Sequence, residues 1–113
     1  MPASAQQSLD ATLLALADPT RRRVVELLKV RPRRAGEIAD TLAIGGPAAS
    51  KHLKVLRACE LVEEERPVDD ARVRVYRLRP ERLEELRDWL EDVHTFWSDQ
   101  LASFKSAAER KRR

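Results

Sequence analysis

The side chains best suited to hold another molecule lie in one short segment near the middle of the chain. They are small or carry a hydrogen-bonding group: Ala48, Ser50, Lys51, His52 and Lys54. Ala49, Leu53 and Leu56 recur there at i, i+4 and i+7, which predicts a helix with one narrow buried stripe. His52 lies at the margin of that stripe, where it either reaches a ligand or braces the helix. The other polar side chains point outward and suit base edges or phosphate oxygens.

The surrounding sequence predicts the elements that position this helix. Apolar periodicity predicts four helices, over residues 9–17, 19–30, 35–42 and from 47 to about 59. Asp18 is a suitable N-cap for the second helix, and Pro19 suits its first helical position. Gly45 and Gly46 form the turn before the fourth helix, where Pro47 again suits the first turn. A short helix, a tight turn and a polar-faced helix therefore follow one another.

Beyond the fourth helix the apolar pattern changes to alternation, which predicts strands at residues 61–66 and 71–78. Arginines lie along both arms of this hairpin: Arg66, Arg72, Arg74 and Arg77. Such cationic arms, Arg72 foremost, can contact phosphates, whereas Asp69 and Asp70 at the tip would be repelled and are expected to be solvated. The alternative is that these arginines only keep an exposed hairpin soluble.

A long final helix begins after Arg79-Pro80 and carries one apolar stripe. The stripe consists of Leu83, Leu86, Leu90, Val93, Trp97, Leu101, Phe104 and Ala108. One-sided apolar sequence of this length needs a partner surface, either a second copy of the chain or a different protein. Aromatic residues at helical spacing favour a dimer core over a ligand cage.

Length and composition narrow the class of protein. The 113 residues predict a single domain, residues 1–113, with loose ends at about 1–7 and 109–113. The order of elements predicts a winged helix-turn-helix, a fold that is mainly α with a small β-hairpin. The 22 basic and 19 acidic residues leave a formal charge of +3, so a basic face must be local. No phosphate-binding glycine loop and no nucleophile with a base is evident, which argues against an enzyme.

A single cysteine, Cys59, predicts a reducing, cytoplasmic setting. We interpret Cys59 as a small packed hydrophobe, with an oxidant sensor as the alternative. No segment resembles an export signal or an apolar membrane span, so no membrane partner is expected.

Several runs of the sequence together resemble the ArsR/SmtB-type repressors over about residues 9–101. The runs are Ala17-Asp18-Pro19-Thr20-Arg21-Arg22, Gly36-Glu37-Ile38-Ala39, residues 47–57, Leu61-Val62 and Val75-Tyr76-Arg77-Leu78. The resemblance implies a recognition helix over residues 47–60, with the hairpin as wing. It adds Gly46 and Arg57 to the candidate contacts with double-stranded DNA. It also implies repression of nearby genes.

The resemblance further implies a symmetric homodimer built on the first and last helices. The implied interface residues are Leu9, Leu13, Leu83, Leu86, Leu90, Val93, Trp97 and Leu101. A dimer of this kind would read a palindromic operator with its two recognition helices one DNA turn apart. The competing function is a protein-interaction module that uses the long final helix.

The sequence departs from the family pattern at two places. Gly45 and Gly46 stand where members commonly carry a serine and another polar residue, so part of the base-reading pattern is missing. Metal-sensing members carry a Cys-x-Cys pair on the third helix, and this chain has none there. Asp92 and His94 resemble the first half of the zinc site that such members carry on the last helix, but the ligands of the second half are missing further along that helix. We therefore predict no metal site and no cofactor, and assign no effector ligand.

Overall fold

The computed structural model describes residues 3–67, 69 and 72–112. This part of the chain holds five helices and three short strands: α1 (Ala3–Leu16), α2 (Pro19–Val30), β1 (Arg33–Arg34), α3 (Ala35–Leu42), α4 (Gly46–Ala58), β2 (Val62–Glu65), β3 (Val75–Leu78) and α5 (Glu81–Arg112). The mainly helical fold with a small antiparallel sheet confirms the predicted fold class. Helix α1 begins earlier than predicted, at Ala3 rather than Leu9.

Local chemistry explains where the middle helices begin and end. Asp18 caps α2 as predicted, because its carboxylate accepts the Arg21 backbone N–H at 3.0 Å. Helix α3 ends where Ala43 adopts the left-handed conformation, with φ 54°, and its N–H bonds back to the last turn. The glycines of the turn do not take that conformation. Gly45 occupies the N-cap position of α4 with φ −69°, where it has no side chain to accept a hydrogen bond.

The three strands pair antiparallel in the order β1-β3-β2. Tyr76 on the central strand lies opposite Glu64 on one side and Arg33 on the other. The β2–β3 hairpin was predicted, whereas β1 was not. A strand of two arginines shows no alternation of apolar and polar residues, so only the completed sheet reveals it.

One apolar core anchors these elements. Its buried members come from α1, α2, α3, α4 and the sheet: Ala15, Val24, Leu28, Ile38, Leu53, Leu56, Leu61, Val62 and Tyr76. The predicted stripe of α4 is confirmed, since Ala49, Leu53 and Leu56 are at most 1% exposed. The polar side of α4 must therefore face away from the core.

Chain contacts divide the protein into two compact units. The first ends at Leu83, which packs against the core, and the second begins at Glu84 and continues along α5. Within the described ranges, no helix is both long and apolar enough to cross a membrane.

Replacement of Leu56 tests whether the buried stripe of α4 holds this core together. Leu56 is fully buried, so we expect Leu56→Ala to lower the free energy of unfolding by about 2–5 kcal/mol. The neighbouring Val55 is 40% exposed, and Val55→Ala should change the free energy of unfolding by about 0.5 kcal/mol or less. Urea denaturation at one protein concentration measures both. Equal losses for the two variants would contradict this assignment of the core.

Candidate nucleic-acid interface

Helix α4 presents a polar face because its opposite face is locked in the core. Ser50, Lys51, Lys54 and Arg57 are exposed, and Ala48 and His52 are half-buried. Ser50, Lys54 and Arg57 are spaced i, i+4 and i+7, so they follow one line along the helix. Gly46 is also exposed, at the start of the same helix. The predicted contact residues of α4 therefore lie on an accessible surface.

Helices α3 and α4 form the paired unit that sets this surface. Ile38 and Ala39 of α3 are buried, as are Ala49 and Leu53 of α4. The connecting turn is fixed by the Ile44 N–H, which donates to the Ala39 carbonyl at 3.0 Å. A short helix, a tight turn and a second helix with a free polar face make up a helix-turn-helix.

The hairpin supplies a second group of exposed cations. Arg66, Arg72 and Arg74 are exposed, as a wing that contacts phosphates requires. Arg77 is also exposed, and its Nε atom pairs with Glu65 Oε1 at 2.9 Å and lies 3.8 Å from Glu63 Oε1. Asp69 at the tip is exposed, whereas Asp70 lies outside the described residues.

Glu64 is the point where the helix and the hairpin arms meet. Arg57 Nη1 lies 2.7 Å from Glu64 Oε2, and the Nε atoms of Arg66 and Arg74 lie 3.4 and 3.5 Å from Glu64 Oε1. The Glu64 side chain is only 9% exposed. The structure thus gathers three predicted DNA-contact residues around one carboxylate. Glu64 was not among the predicted site residues, because nothing in a run of three glutamates marks which one meets the arginines.

A second carboxylate organises the entrance to α3. Glu37 forms ion pairs with Arg31 and, at 3.4 Å, with Arg33 Nη1. The hydrogen bond from Arg31 is the main reason why the pKa of the Glu37 carboxyl is lowered. The Arg33 Nε–H also donates to the Leu27 carbonyl at 3.3 Å, which ties β1 to the end of α2. This cluster holds the segment that leads into the helix-turn-helix.

Asp18, which caps α2, carries a carboxyl whose electrostatics involve His52 of α4. The pKa of the Asp18 carboxyl is lowered, chiefly by the hydrogen bond from the Arg21 backbone, with smaller effects from the charges of Arg21 and His52. His52 therefore lies within electrostatic range of Asp18. Its half-exposed side chain also leaves it available at the surface of α4.

Cys59 follows the last turn of α4 and is half-buried. Its thiol donates to the Leu56 carbonyl at 3.4 Å, and it packs against the core. Burial raises the pKa of the Cys59 thiol. An open cavity of about 340 Å³ borders it, lined mainly by apolar side chains of α1 and α4. Among the described residues, no three His, Cys, Asp or Glu side chains are grouped closely enough to hold a metal ion.

The stripe of α5 contains exposed apolar side chains. Large apolar side chains of α5 are between 38% and 71% exposed: Leu90, Val93, Trp97, Leu101 and Phe104 on the stripe, and Phe96 beside it. The Phe96 and Trp97 rings meet edge to face, with centroids 6.3 Å apart. Large exposed apolar patches mark interaction sites. Leu13 on α1 is also exposed, whereas Leu9 is 7% exposed within the single chain and Leu83 packs on the core.

Comparison with known proteins agrees with this geometry. The profile of a family described as bacterial regulatory protein, arsR family, matches residues 18–64, which run from the α2 cap to β2. The HTH-type transcriptional regulator Rv2034 of Mycobacterium tuberculosis is 42% identical over 101 residues, 89% of each chain. The transcriptional repressor SdpR of Bacillus subtilis is 40% identical over 52 residues, 46% of this chain and 58% of that protein.

A solved structure supports the same conclusion. The ArsR-like transcriptional regulator from Rhodococcus sp. RHA1 superimposes with a TM-score of 0.79 at 29% identity, over 96% of this chain and 97% of that one. The family profile, the long alignment with Rv2034 and the shared fold show that the protein belongs to the ArsR family of winged helix-turn-helix transcriptional regulators and is not an enzyme.

Proposed function

We propose that the protein is a homodimeric repressor that binds a palindromic site in double-stranded DNA and thereby blocks transcription. The observation that carries the proposal is the outward polar face of α4, set against a stripe that is at most 1% exposed. A B-DNA major groove admits one α-helix, and that helix must be anchored on one side and hydrogen-bonding on the other. The repressor role is supported by the similarity to SdpR.

Each candidate DNA contact has a role that follows from its position. Gly46, Ala48 and Ser50 begin α4, where a recognition helix approaches base edges. His52 is a candidate contact on the adjoining, half-buried side. Basic side chains further along α4 and on the hairpin would contact phosphates: Lys51, Lys54, Arg57, Arg66, Arg72 and Arg74.

A second copy of the chain is the proposed partner of α5. The exposed stripe runs through Leu90, Val93, Trp97 and Leu101, and Leu86 is half-buried. Symmetric pairing would bury the stripe and hold two α4 helices in a fixed relation, as a palindrome requires. Leu13 on α1 adds exposed apolar surface to the proposed interface. Leu9 and Leu83 are further proposed interface residues; within the single chain Leu9 is 7% exposed and Leu83 packs against the core. We place this dimer in the cytoplasm, where Cys59 stays reduced.

Release of the DNA does not run through Cys59 in this proposal. A thiol with a raised pKa holds little thiolate at neutral pH, and thiolate is the form that oxidants attack. A packing role accounts for the contact of Cys59 with the core.

Replacement of Lys51 or Arg72 by alanine tests the phosphate contacts. We expect either variant to bind all duplex sequences more weakly and to reduce the slope of log affinity against log salt by about 1. Fluorescence anisotropy over a salt series measures this slope. Lys105→Ala, which removes the same charge from α5, is the control and should bind as the wild type does. Unchanged affinity for both Lys51→Ala and Arg72→Ala at moderate salt would refute the assignment.

Replacement of Leu90 by aspartate tests the dimer. A charge within an apolar interface is costly to bury, so Leu90→Asp should be monomeric and should retain little operator affinity. Sedimentation velocity measures the oligomeric state. The exposed Thr95 lies off the stripe, two residues before Trp97, and Thr95→Asp should remain dimeric. A stable Leu90→Asp dimer would exclude this interface, and a monomeric wild type would favour the interaction module.

Alkylation of Cys59 tests its assignment as a packing residue. Because burial raises its pKa, we expect iodoacetamide to modify the folded protein at pH 7 several-fold more slowly than the protein unfolded in urea. Mass spectrometry follows the reaction without ambiguity, since the chain has one cysteine. Modification of the folded protein at or above the unfolded rate would instead identify a reactive, sensor-type thiol.

A further inference from the structure

We propose that Glu64 is a positioning residue that assembles Arg57, Arg66 and Arg74 into one phosphate-binding site. We call these four side chains the Glu64 cluster. The cluster joins α4 to both arms of the hairpin, so one DNA phosphate would be held by the recognition helix and the wing together. This inference rests on the proposed DNA-binding function and goes beyond it, because it gives a role to a carboxylate that would itself repel DNA.

The geometry of the Glu64 cluster is convergent. The two carboxylate oxygens are divided between the arginines: Oε2 lies 2.7 Å from Arg57, and Oε1 lies 3.4 Å from Arg66 and 3.5 Å from Arg74. The three arginines come from three places: the last turn of α4, the residue after β2 and the residue before β3. A single acidic side chain thus links segments that are separate along the chain.

Glu64 itself is held firmly in place. It lies in β2 opposite Tyr76 of the central strand, and Tyr76 is 5% exposed. Strand residues alternate between faces, so Glu63 and Glu65 project on the side opposite to Glu64. Those two carboxylates pair with Arg77 instead. Of the three glutamates in β2, Glu64 therefore faces the arginines of the Glu64 cluster.

The cluster retains the capacity to bind an anion. Three guanidinium groups against one carboxylate leave two net positive charges. Each guanidinium has five N–H donors, so the three arginines together carry more donors than one carboxylate can accept. The side chains of Arg57, Arg66 and Arg74 are 49%, 54% and 56% exposed. Donors remain available for a phosphate oxygen, which arginine binds in a fixed fork geometry.

The carboxylate is needed because free arginines are poorly organised. An arginine side chain loses rotamer entropy when it is ordered, and three neighbouring cations repel one another. Glu64 reduces both costs before DNA arrives, which is preorganisation. Arg57 also shares the line of Ser50 and Lys54 along α4, so the site is continuous with the proposed groove-facing surface.

Neutralisation of Glu64 tests the proposal, because the positioning role and the added charge change DNA affinity in opposite directions. Glu64→Gln and the control Glu65→Gln each add one positive charge, so an effect of charge alone would tighten DNA binding in both. We expect Glu64→Gln instead to weaken binding to the specific duplex roughly fivefold to tenfold, a coupling typical of contacting residues. Binding to a scrambled duplex should weaken by a similar factor, because phosphate contacts carry no sequence information. Glu65→Gln should bind the specific duplex at least as tightly as the wild type does.

Three further variants separate positioning from folding. Glu64→Asp keeps the charge and should retain more specific affinity than Glu64→Gln at a similar melting temperature. Should Glu64→Gln fail to fold, Arg57→Ala and Arg74→Ala replace it; because both would hold one phosphate, their combined loss of affinity should be smaller than the sum of the single losses.

The outcomes distinguish failure of the positioning role from failure of the proposed DNA-binding function. A wild-type protein that binds no duplex specifically refutes the proposed function. A wild type that binds, with Glu64→Gln equal to or tighter than it, refutes only the positioning role, as do additive losses in the arginine pair.

Discussion

Burial of three side chains on one face of α4 is the constraint on which the rest of the structure depends. Ala49, Leu53 and Leu56 are locked against the core, and this fixes the rotation of the helix about its axis. Each residue turns a helix by about 100°, so a shift of one position would carry Ser50, Lys54 and Arg57 away from their exposed line. The DNA-facing chemistry is thus a consequence of packing on the opposite side.

Charge pairing is the second organising influence. The chain has nearly as many acidic as basic residues, and the ion pairs of the hairpin show how they are distributed. Glu63 and Glu65 neutralise Arg77, whereas Glu64 holds three partly exposed arginines at once. Individual exposed pairs contribute little to stability. These ion pairs instead determine which arginine side chains are already oriented before DNA binds.

Most of the helical framework could be predicted from the sequence, because its signals are local. Asp18-Pro19 specifies the start of α2, and the predicted bounds of α3 match Ala35–Leu42. The spacing of Ala49, Leu53 and Leu56 predicted the orientation of α4. The candidate DNA contacts Ser50, Lys51 and Lys54 followed from that orientation, whereas Gly46 and Arg57 came from the family resemblance and the hairpin arginines from the alternating pattern.

What the sequence could not predict depends on contacts between distant segments. Strand β1 exists only because Arg33 and Arg34 reach the edge of β3. The left-handed residue after α3 is Ala43, although two glycines stand nearby, since the hydrogen bonds of the turn determine the position. The Glu64 cluster likewise requires α4 and both hairpin arms to be folded together.

The salt dependence of duplex binding by the wild-type protein tests the central claim most directly. The measurement compares the intergenic DNA upstream of the protein's own gene with a scrambled duplex of equal length and composition. The account predicts specific binding that weakens steeply as salt rises, because several phosphate contacts release counterions. Equal, weak binding to both duplexes, or affinity indifferent to salt, would contradict it.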